Sequence, residues 1–121
     1  MKLEIRIPYP TPKSKWSEFG DNAYYKGKHW AQRRGDAEYW HSMMHIYAPW
    51  DKPPLDKPVR ILFYWNDKMD LDNHSIWAKM LTDGIKGRII ADDNRKYVKE
   101  IRHGWHDEDY IRIVVEEVDD G

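Results

Sequence analysis

The chain has 121 residues, 14% of them aromatic with seven Trp and eight Tyr, and it contains no Cys. This length predicts one domain with one core. Without thiolates it has no disulfide, zinc–thiolate centre or cysteine nucleophile. The longest apolar run, residues 61–65, is too short to span a membrane, and from the charges among its first apolar residues we expect no signal peptide. We expect one cytoplasmic domain over residues 1–121, with no membrane contact and no organic cofactor.

The net charge of −1 hides an uneven distribution of charge along the chain. Residues 107–121 hold seven acidic residues and one basic residue, a net charge of −6, whereas the other 106 residues carry a net +5. A basic body attracts polyanions such as nucleic acids, because the local field governs encounter. We interpret the acidic end, residues 107–121, as solubilising; shielding of the basic body from nonspecific DNA is the alternative.

A strand and a basic segment are predicted first in chain order. Leu3, Ile5 and Ile7 alternate with charged residues, which is the pattern of a half-buried strand, and prolines end it. Residues 13–35 have no clear period and interleave aromatic with basic residues, so we interpret this basic segment as a long loop or arm that contacts DNA, with simple packing of the aromatics as the alternative. Its predicted DNA-binding residues are Lys13, Lys15, Lys26, Lys28, Arg33 and Arg34.

The rest of the chain predicts a mixed four-stranded sheet and two main helices. A helix is expected from an Asp36 cap to residue 48, then a proline-rich loop over residues 49–58 and a buried strand over residues 59–65. A second helix is expected over residues 73–83, ended by Gly84 and Gly87, and two final, antiparallel strands over residues 97–101 and 110–118. We therefore expect a small α/β (α+β) domain of order β-α-β-α-β-β.

Two acidic pairs are the clearest chemical signal. Asp70 and Asp72 follow the predicted buried strand, and Asp92 and Asp93 follow the second helix. Paired carboxylates repel each other unless a cation lies between them, and hard oxygen ligands favour Mg²⁺, with Mn²⁺ as the alternative. If the strand end and the returning loop meet, the four carboxylates form a metal site suited to phosphodiester hydrolysis.

The intervening helix carries Lys79, which is placed to stabilise charge developing on a phosphate. Asn73 is expected to cap this helix or to orient a carboxylate, and His74 is a weak auxiliary candidate. The plainer alternatives are turn and cap chemistry for residues 70–73 and a solvated helix lysine at position 79.

Three motifs in order resemble the RusA family of Holliday junction resolvases. They are Asp70-Leu71-Asp72-Asn73, then Lys79-Met80-Leu81-Thr82-Asp83-Gly84, then Ala91-Asp92-Asp93-Asn94-Arg95-Lys96-Tyr97-Val98. A weaker similarity to phage-borne members covers the early strand, the prolines and residues 27–31. In some members the lysine follows the asparagine by three residues, whereas here the gap is six.

The resemblance implies a Mg²⁺-dependent homodimeric endonuclease that nicks a four-way DNA junction symmetrically. It implies catalytic roles for Asp70, Asp72, Asp93 and Lys79, with Asp92 as a supporting metal ligand. An arginine is common just before the first motif in this family. Here Met69 stands in that position, and Lys68 is the expected replacement for its phosphate contact.

Two alternatives differ from the junction-resolving enzyme. One is a branched-DNA-binding protein of the same fold that cleaves weakly or not at all, and the other is an RNA-directed nuclease, for which no RNA-specific aromatic motif is present. For the dimer surface, the candidates are the aromatic helix face around Trp77 and the exposed last strand.

Overall fold

A four-stranded sheet carries the helices in the computed structural model, which describes residues 2–49 and 54–119. The strands are β1 (Lys2–Pro8), β2 (Val59–Trp65), β3 (Val98–Trp105) and β4 (Tyr110–Glu117). The α-helices are α1 (Asp21–Tyr25), α2 (Trp30–Tyr47) and α3 (Ser75–Ile85), and two 3₁₀ helices cover Lys13–Phe19 and Leu71–His74. The predicted mixed α+β class is confirmed, as is the order of the main elements.

The strand order in the sheet is β1-β4-β2-β3, with β2 and β3 parallel and the other pairs antiparallel. Because α3 returns the chain to the start of β2, the next strand runs parallel to it. The last two strands run in opposite directions as predicted, but they do not pair, because β2 lies between them. Strand β4 has both edges paired, so the last strand is not an exposed surface, and the free edges belong to β1 and β3.

The core lies between the sheet and the two longer helices and is rich in tryptophan. Trp40, Trp65 and Trp77 are fully buried, and the Trp77 ring centroid lies 5.2 Å from that of Trp40 and 5.1 Å from that of Trp65. The helix face around Trp77 is therefore part of the core and not a dimer surface, which corrects that expectation.

The basic segment is folded, not a loop, and α2 begins at Trp30 rather than after Asp36. His29 caps the helix, since its Nδ1 accepts a hydrogen bond from the Ala31 amide at 3.1 Å. Asp36 lies inside α2 and accepts a hydrogen bond from the Tyr24 hydroxyl at 2.6 Å. The apolar pattern placed the helix start too late, because the first turns of α2, residues 30–35, are exposed on all sides and have no apolar period.

Most of the acidic end is a central strand. Residues 107–109 form the turn after β3, and in β4 Ile111, Ile113 and Val115 are fully buried. Glu116 of the same strand pairs with Arg60 at 3.1 Å. The alternation of apolar residues therefore governs this segment, and its acids lie in the turn before β4 and at the end of the strand.

The ends of two predicted elements differ from expectation. Gly84 lies inside α3, which continues to Ile85, and Gly87, with a φ of +80°, lies in the turn that follows. Within the predicted loop over residues 49–58, residues 50–53 lie outside the described part, and Leu55 forms a parallel β-bridge with Ile90. Among the helices described, none combines the length and apolarity needed to cross a membrane.

Two helix glycines predict opposite responses to substitution by alanine. A Cβ on Gly84 would lie 2.9 Å from the Met44 Cβ, whereas one on Gly35 of α2 would meet nothing within 4 Å. We expect Gly35→Ala to stabilise the protein by about 1 kcal/mol through helix propensity. Gly84→Ala should destabilise it by roughly 1–2 kcal/mol, because the overpacked α2–α3 contact must shift. Urea unfolding of both variants measures this, and stabilisation by both would contradict the close helix approach.

Candidate active site

Helix α3 is fixed at its start by a buried acid that precedes it by more than fifty residues. The Asp21 carboxylate, 4% exposed, accepts hydrogen bonds from the Ser75 hydroxyl and from the Ile76 amide, the latter at 2.7 Å. The N-terminus of a helix favours an anion, because its amide groups lack partners and its dipole is positive there. Sequence reasoning missed Asp21, since a capping residue distant in the chain leaves no local pattern.

Asn73 links the segment around Asn22 to the start of α3. Its Oδ1 accepts a hydrogen bond from the Asn22 amide at 2.8 Å. A Cβ on Gly20 would lie 2.6 Å from the Asn73 Nδ2, so this close approach requires glycine. The asparagine of the first motif therefore joins two segments of the chain instead of capping its own helix.

A buried ion pair lies beneath the loop that follows β2. His74 is fully buried, with Nε2 at 2.9 Å from an Asp67 carboxylate oxygen and Nδ1 at 3.1 Å from the Leu71 carbonyl. Asp67 also accepts from the Tyr9 hydroxyl at 3.0 Å. Because both ring nitrogens have partners inside the fold, His74 supports the loop, and its predicted auxiliary role gains no open ligand position.

A groove between α3 and the edge strand β3 gathers several chemically active side chains. It has a volume of about 460 Å³, and its wall includes the predicted catalytic residues Lys79 and Asp93 together with Asp83 and His103. Lys79 and Asp93 come from motifs that are separated in sequence by a helix end and a turn. The fold thus places two of the four predicted catalytic residues on one surface.

Two lysines form ion pairs with the acidic residues near the C-terminal end of α3. The Lys79 ammonium lies 3.4 Å from Asp83, and the Lys86 ammonium lies 3.5 Å from Asp93 and 3.8 Å from Asp92. Partial burial alone would raise the pKa of the Asp93 carboxyl, but hydrogen bonding to Asp92 and the charge of Lys86 outweigh it, so this pKa lies below its usual value.

His103 was not predicted from the sequence as a functional residue, although it lines the groove. Its Nδ1 accepts a hydrogen bond from the Trp65 indole at 3.0 Å. Burial and then the nearby His74 lower the pKa of His103, so the ring is neutral at pH 7 and carries its hydrogen on Nε2. Such a ring can donate one hydrogen bond to a phosphate oxygen.

Asp70 and Asp72 lie at the other end of α3. Both are exposed, and they flank the start of the second 3₁₀ helix, ahead of α3. Eleven residues of α-helix rise about 16 Å, so the helix separates this pair from Asp83 and Asp93 near its end. Accordingly, the residues that the structure describes contain no group of three or more His, Asp or Glu side chains placed to hold a metal ion. A single chain does not bring the two predicted pairs together.

The predicted DNA-binding residues fall into two sets. The first set is engaged in the fold or in an ion pair: Lys28 pairs with Asp36 at 2.5 Å, Arg33 donates to the Tyr24 carbonyl at 2.8 Å, and Arg34 pairs with Glu38 at 3.3 Å. In the described part of the chain, the second set forms no salt bridge and is exposed to solvent; it consists of Lys13, Lys15, Lys26 and Lys68.

Comparison with known proteins adds no family assignment. No protein-family profile matches the chain, and no curated protein matches it with significant similarity. The motifs and the geometry of the groove are therefore what indicates a function for this chain.

The Asp93 environment predicts a measurable effect of Lys86. In Lys86→Gln the pKa of Asp93 should rise, because the nearest ammonium is lost. Since the folded pKa lies below the ordinary value of 3.8, the stabilisation by ionised Asp93 is present above that value and is lost as the pH falls through the lowered pKa. A carboxyl-carbon NMR titration measures the shift.

Lys79→Gln is the matched control, since Lys79 contacts Asp83 and should change the Asp93 titration less. An Asp93 titration that is the same in wild type and Lys86→Gln would remove Lys86 from this site.

Proposed function

We propose that this protein is a Mg²⁺-dependent, structure-selective DNA endonuclease that resolves four-way junctions by symmetric nicking. The observation that carries the proposal is the groove that Lys79 and Asp93 line together. The motif order supports the same function, because it places an acid pair, a helix lysine and a second acid pair as in RusA-type resolvases.

The side chains at the Asp93 end fit Mg²⁺ in chemical type. Mg²⁺ binds hard oxygen ligands and commonly takes one or two carboxylates, with phosphate and water completing its shell. Asp92 and Asp93 lie 3.8 Å and 3.5 Å from the same Lys86 ammonium, so two carboxylates are adjacent here. When bound, Mg²⁺ or Mn²⁺ would supply an activated water and neutralise phosphate charge.

The groove residues supply positioning and charge. Lys79 has a side chain that is 71% exposed, so its ammonium can leave Asp83 and contact a phosphate. His103 offers a neutral donor on the opposite wall. Elsewhere on the surface, four exposed lysines would hold DNA backbones by a salt-sensitive contact; they are Lys13, Lys15, Lys26 and Lys68.

A second copy of the chain would complete the acid set. Strand β3 is a free edge of the sheet, and its Ile101 and Trp105 are 46% and 49% exposed, beside exposed charges at Lys99 and Arg102. Antiparallel pairing of two β3 edges about a two-fold axis inverts the partner. The Asp70–Asp72 end of one copy would then face the Asp92–Asp93 end of the other.

The second candidate function is a branched-DNA-binding protein that cleaves weakly or not at all. It is favoured by the separation of the two acid pairs along α3 and by the lysines that already neutralise Asp83 and Asp93. In that case the exposed lysines bind the junction, and the acids serve the fold.

Cleavage of a labelled four-way junction separates the two candidates. We expect wild type to make paired nicks in Mg²⁺ and none in EDTA, and to leave a linear duplex of equal length intact. Asp72→Asn should abolish nicking while junction binding survives or improves, because a charge that repels phosphate is removed. Junction binding without nicks by wild type in both Mg²⁺ and Mn²⁺ would leave the binding protein as the function, whereas equal nicking by wild type and Asp72→Asn would remove Asp72 from the site.

Mixing two inactive variants tests whether each site is shared between copies. If Asp72 of one copy and Asp93 of the other serve the same site, a mixed dimer of Asp72→Asn and Asp93→Asn keeps one intact site. An equimolar mixture, exchanged by dilution, should then regain about a quarter of the wild-type nicking, because half of the dimers are mixed and each has one of two sites.

The control is each variant mixed with itself, which should stay inactive, and sedimentation of the same samples reports whether dimers are present. If dimers form and the mixture stays inactive while wild type cuts, the shared site is wrong although the nuclease proposal survives.

A further inference from the structure

A second cavity, outside the α3–β3 groove, has a volume of about 770 Å³. One wall comes from the chain between β1 and α1, including Lys13, Ser14 and Trp16, and the other from the loop after β2, including Asn66 and Lys68. This volume lies within the range of pockets that bind small organic molecules. Lys68 and Met69 of this wall directly precede Asp70 in the chain, although Asp70 itself does not line the cavity.

The aromatic wall of this cavity is held in place before any ligand binds. The Trp16 indole donates a hydrogen bond to the Pro10 carbonyl at 2.6 Å, and its ring centroid lies 4.2 Å from that of Tyr9. The Tyr9 hydroxyl is fixed in turn, because it donates to Asp67 at 3.0 Å and accepts from the Asn66 amide at 2.7 Å. A fixed indole loses little conformational entropy when a planar ligand packs on it.

The cations of the cavity are available to an anion. Among the residues described, neither Lys13 nor Lys68 forms a salt bridge, although the carboxylates of Asp67 and Asp109 also line the cavity. Asp67 is already occupied by its hydrogen bonds. The Lys13 ammonium lies over the Trp16 ring, 5.6 Å from its centroid, so a positive charge and an aromatic ring are already in contact in this cavity.

The geometry points to a binding site for one unpaired nucleotide of a DNA strand. The base would pack beside Trp16, and the phosphate would lie between Lys13 and Lys68, with the Ser14 hydroxyl as a further donor. Aromatic rings next to cations that are not neutralised by acids are the combination that single-stranded nucleic acid recognition uses. This inference rests on the proposed function, since branched DNA supplies the nucleotide, and it adds recognition of a base at the branch point next to Asp70.

The test is binding of labelled four-way junctions that carry one unpaired thymidine at the branch, compared with the same junctions carrying an abasic residue there. Fluorescence anisotropy is measured in EDTA, so the result does not depend on cleavage. We expect wild type to bind the thymidine junction about tenfold more tightly, the usual scale for one base stacked on an aromatic side chain. Trp16→Leu should abolish this preference, and Trp16→Phe should retain most of it.

Lysine variants separate the phosphate contact from general charge. Lys13→Gln and Lys68→Gln should weaken binding of the thymidine junction more than Lys15→Gln does. Lys15 is the matched control, because it is exposed on the same 3₁₀ helix as Lys13 but does not line the cavity. Equal effects of all three substitutions would overturn the assignment of the phosphate to this cavity.

A fluorescent base in the junction allows the inference to be tested with the wild-type protein, so the result does not depend on whether the variants fold. With 2-aminopurine as the unpaired base, stacking in the cavity should quench the 2-aminopurine fluorescence when the junction binds. If the DNA strand is the ligand, thymidine monophosphate at millimolar concentration should not displace the base, and the fluorescence should stay quenched. Unquenched 2-aminopurine, or equal affinity for the thymidine and abasic junctions, overturns the inference. A junction that binds but is never cut would instead count against the nuclease proposal alone.

Discussion

The buried carboxylate of Asp21 at the N-terminus of α3 is the interaction on which the arrangement of this molecule depends. It places a negative charge where the helix amides and dipole require one, and it does so with a residue from another part of the chain. Asn73 adds a hydrogen bond in the same place, to the Asn22 amide. Apolar packing fixes the same segment as well, because Phe19 and Tyr24 are buried in the core and the Phe19 ring centroid lies 5.3 Å from that of Trp77.

Both cavities follow from that junction. Helix α3 forms one wall of the groove that holds Lys79 and Asp93, and the segment tied to its start carries Trp16 and Lys13 of the second cavity. Beneath them, the His74–Asp67 pair fixes the loop between the two. Buried pairs of this kind contribute more to a single defined geometry than to net stability, since desolvation offsets much of their attraction. The proposed site thus depends on polar contacts that hold its walls and not on the apolar core alone.

Strand and helix identity was predictable where apolar residues repeat with a clear period. The alternation of Ile111, Ile113 and Val115 defined β4 despite the acidic charge around it, and the motif acids and Lys79 were visible as chemistry in the sequence. The start of α2 was not predictable, because its first turns are polar on every side. His103 and Lys86 were missed as site residues, since only the returning chain places Lys86 beside Asp93 and His103 in the same groove.

By itself, the sequence determined the class of fold, the order of its elements and the types of side chain available for phosphate and metal chemistry, because these follow from local periodicity and residue identity. Only the tertiary structure decided which of those side chains meet. Spacing in the chain suggested that Asp70, Asp72, Asp92 and Asp93 share one site, but a helix of eleven residues is a rigid spacer that keeps the pairs apart in one chain. Which strand edges remain free was likewise decided in three dimensions, since pairing between distant strands leaves no mark on the residues of either one.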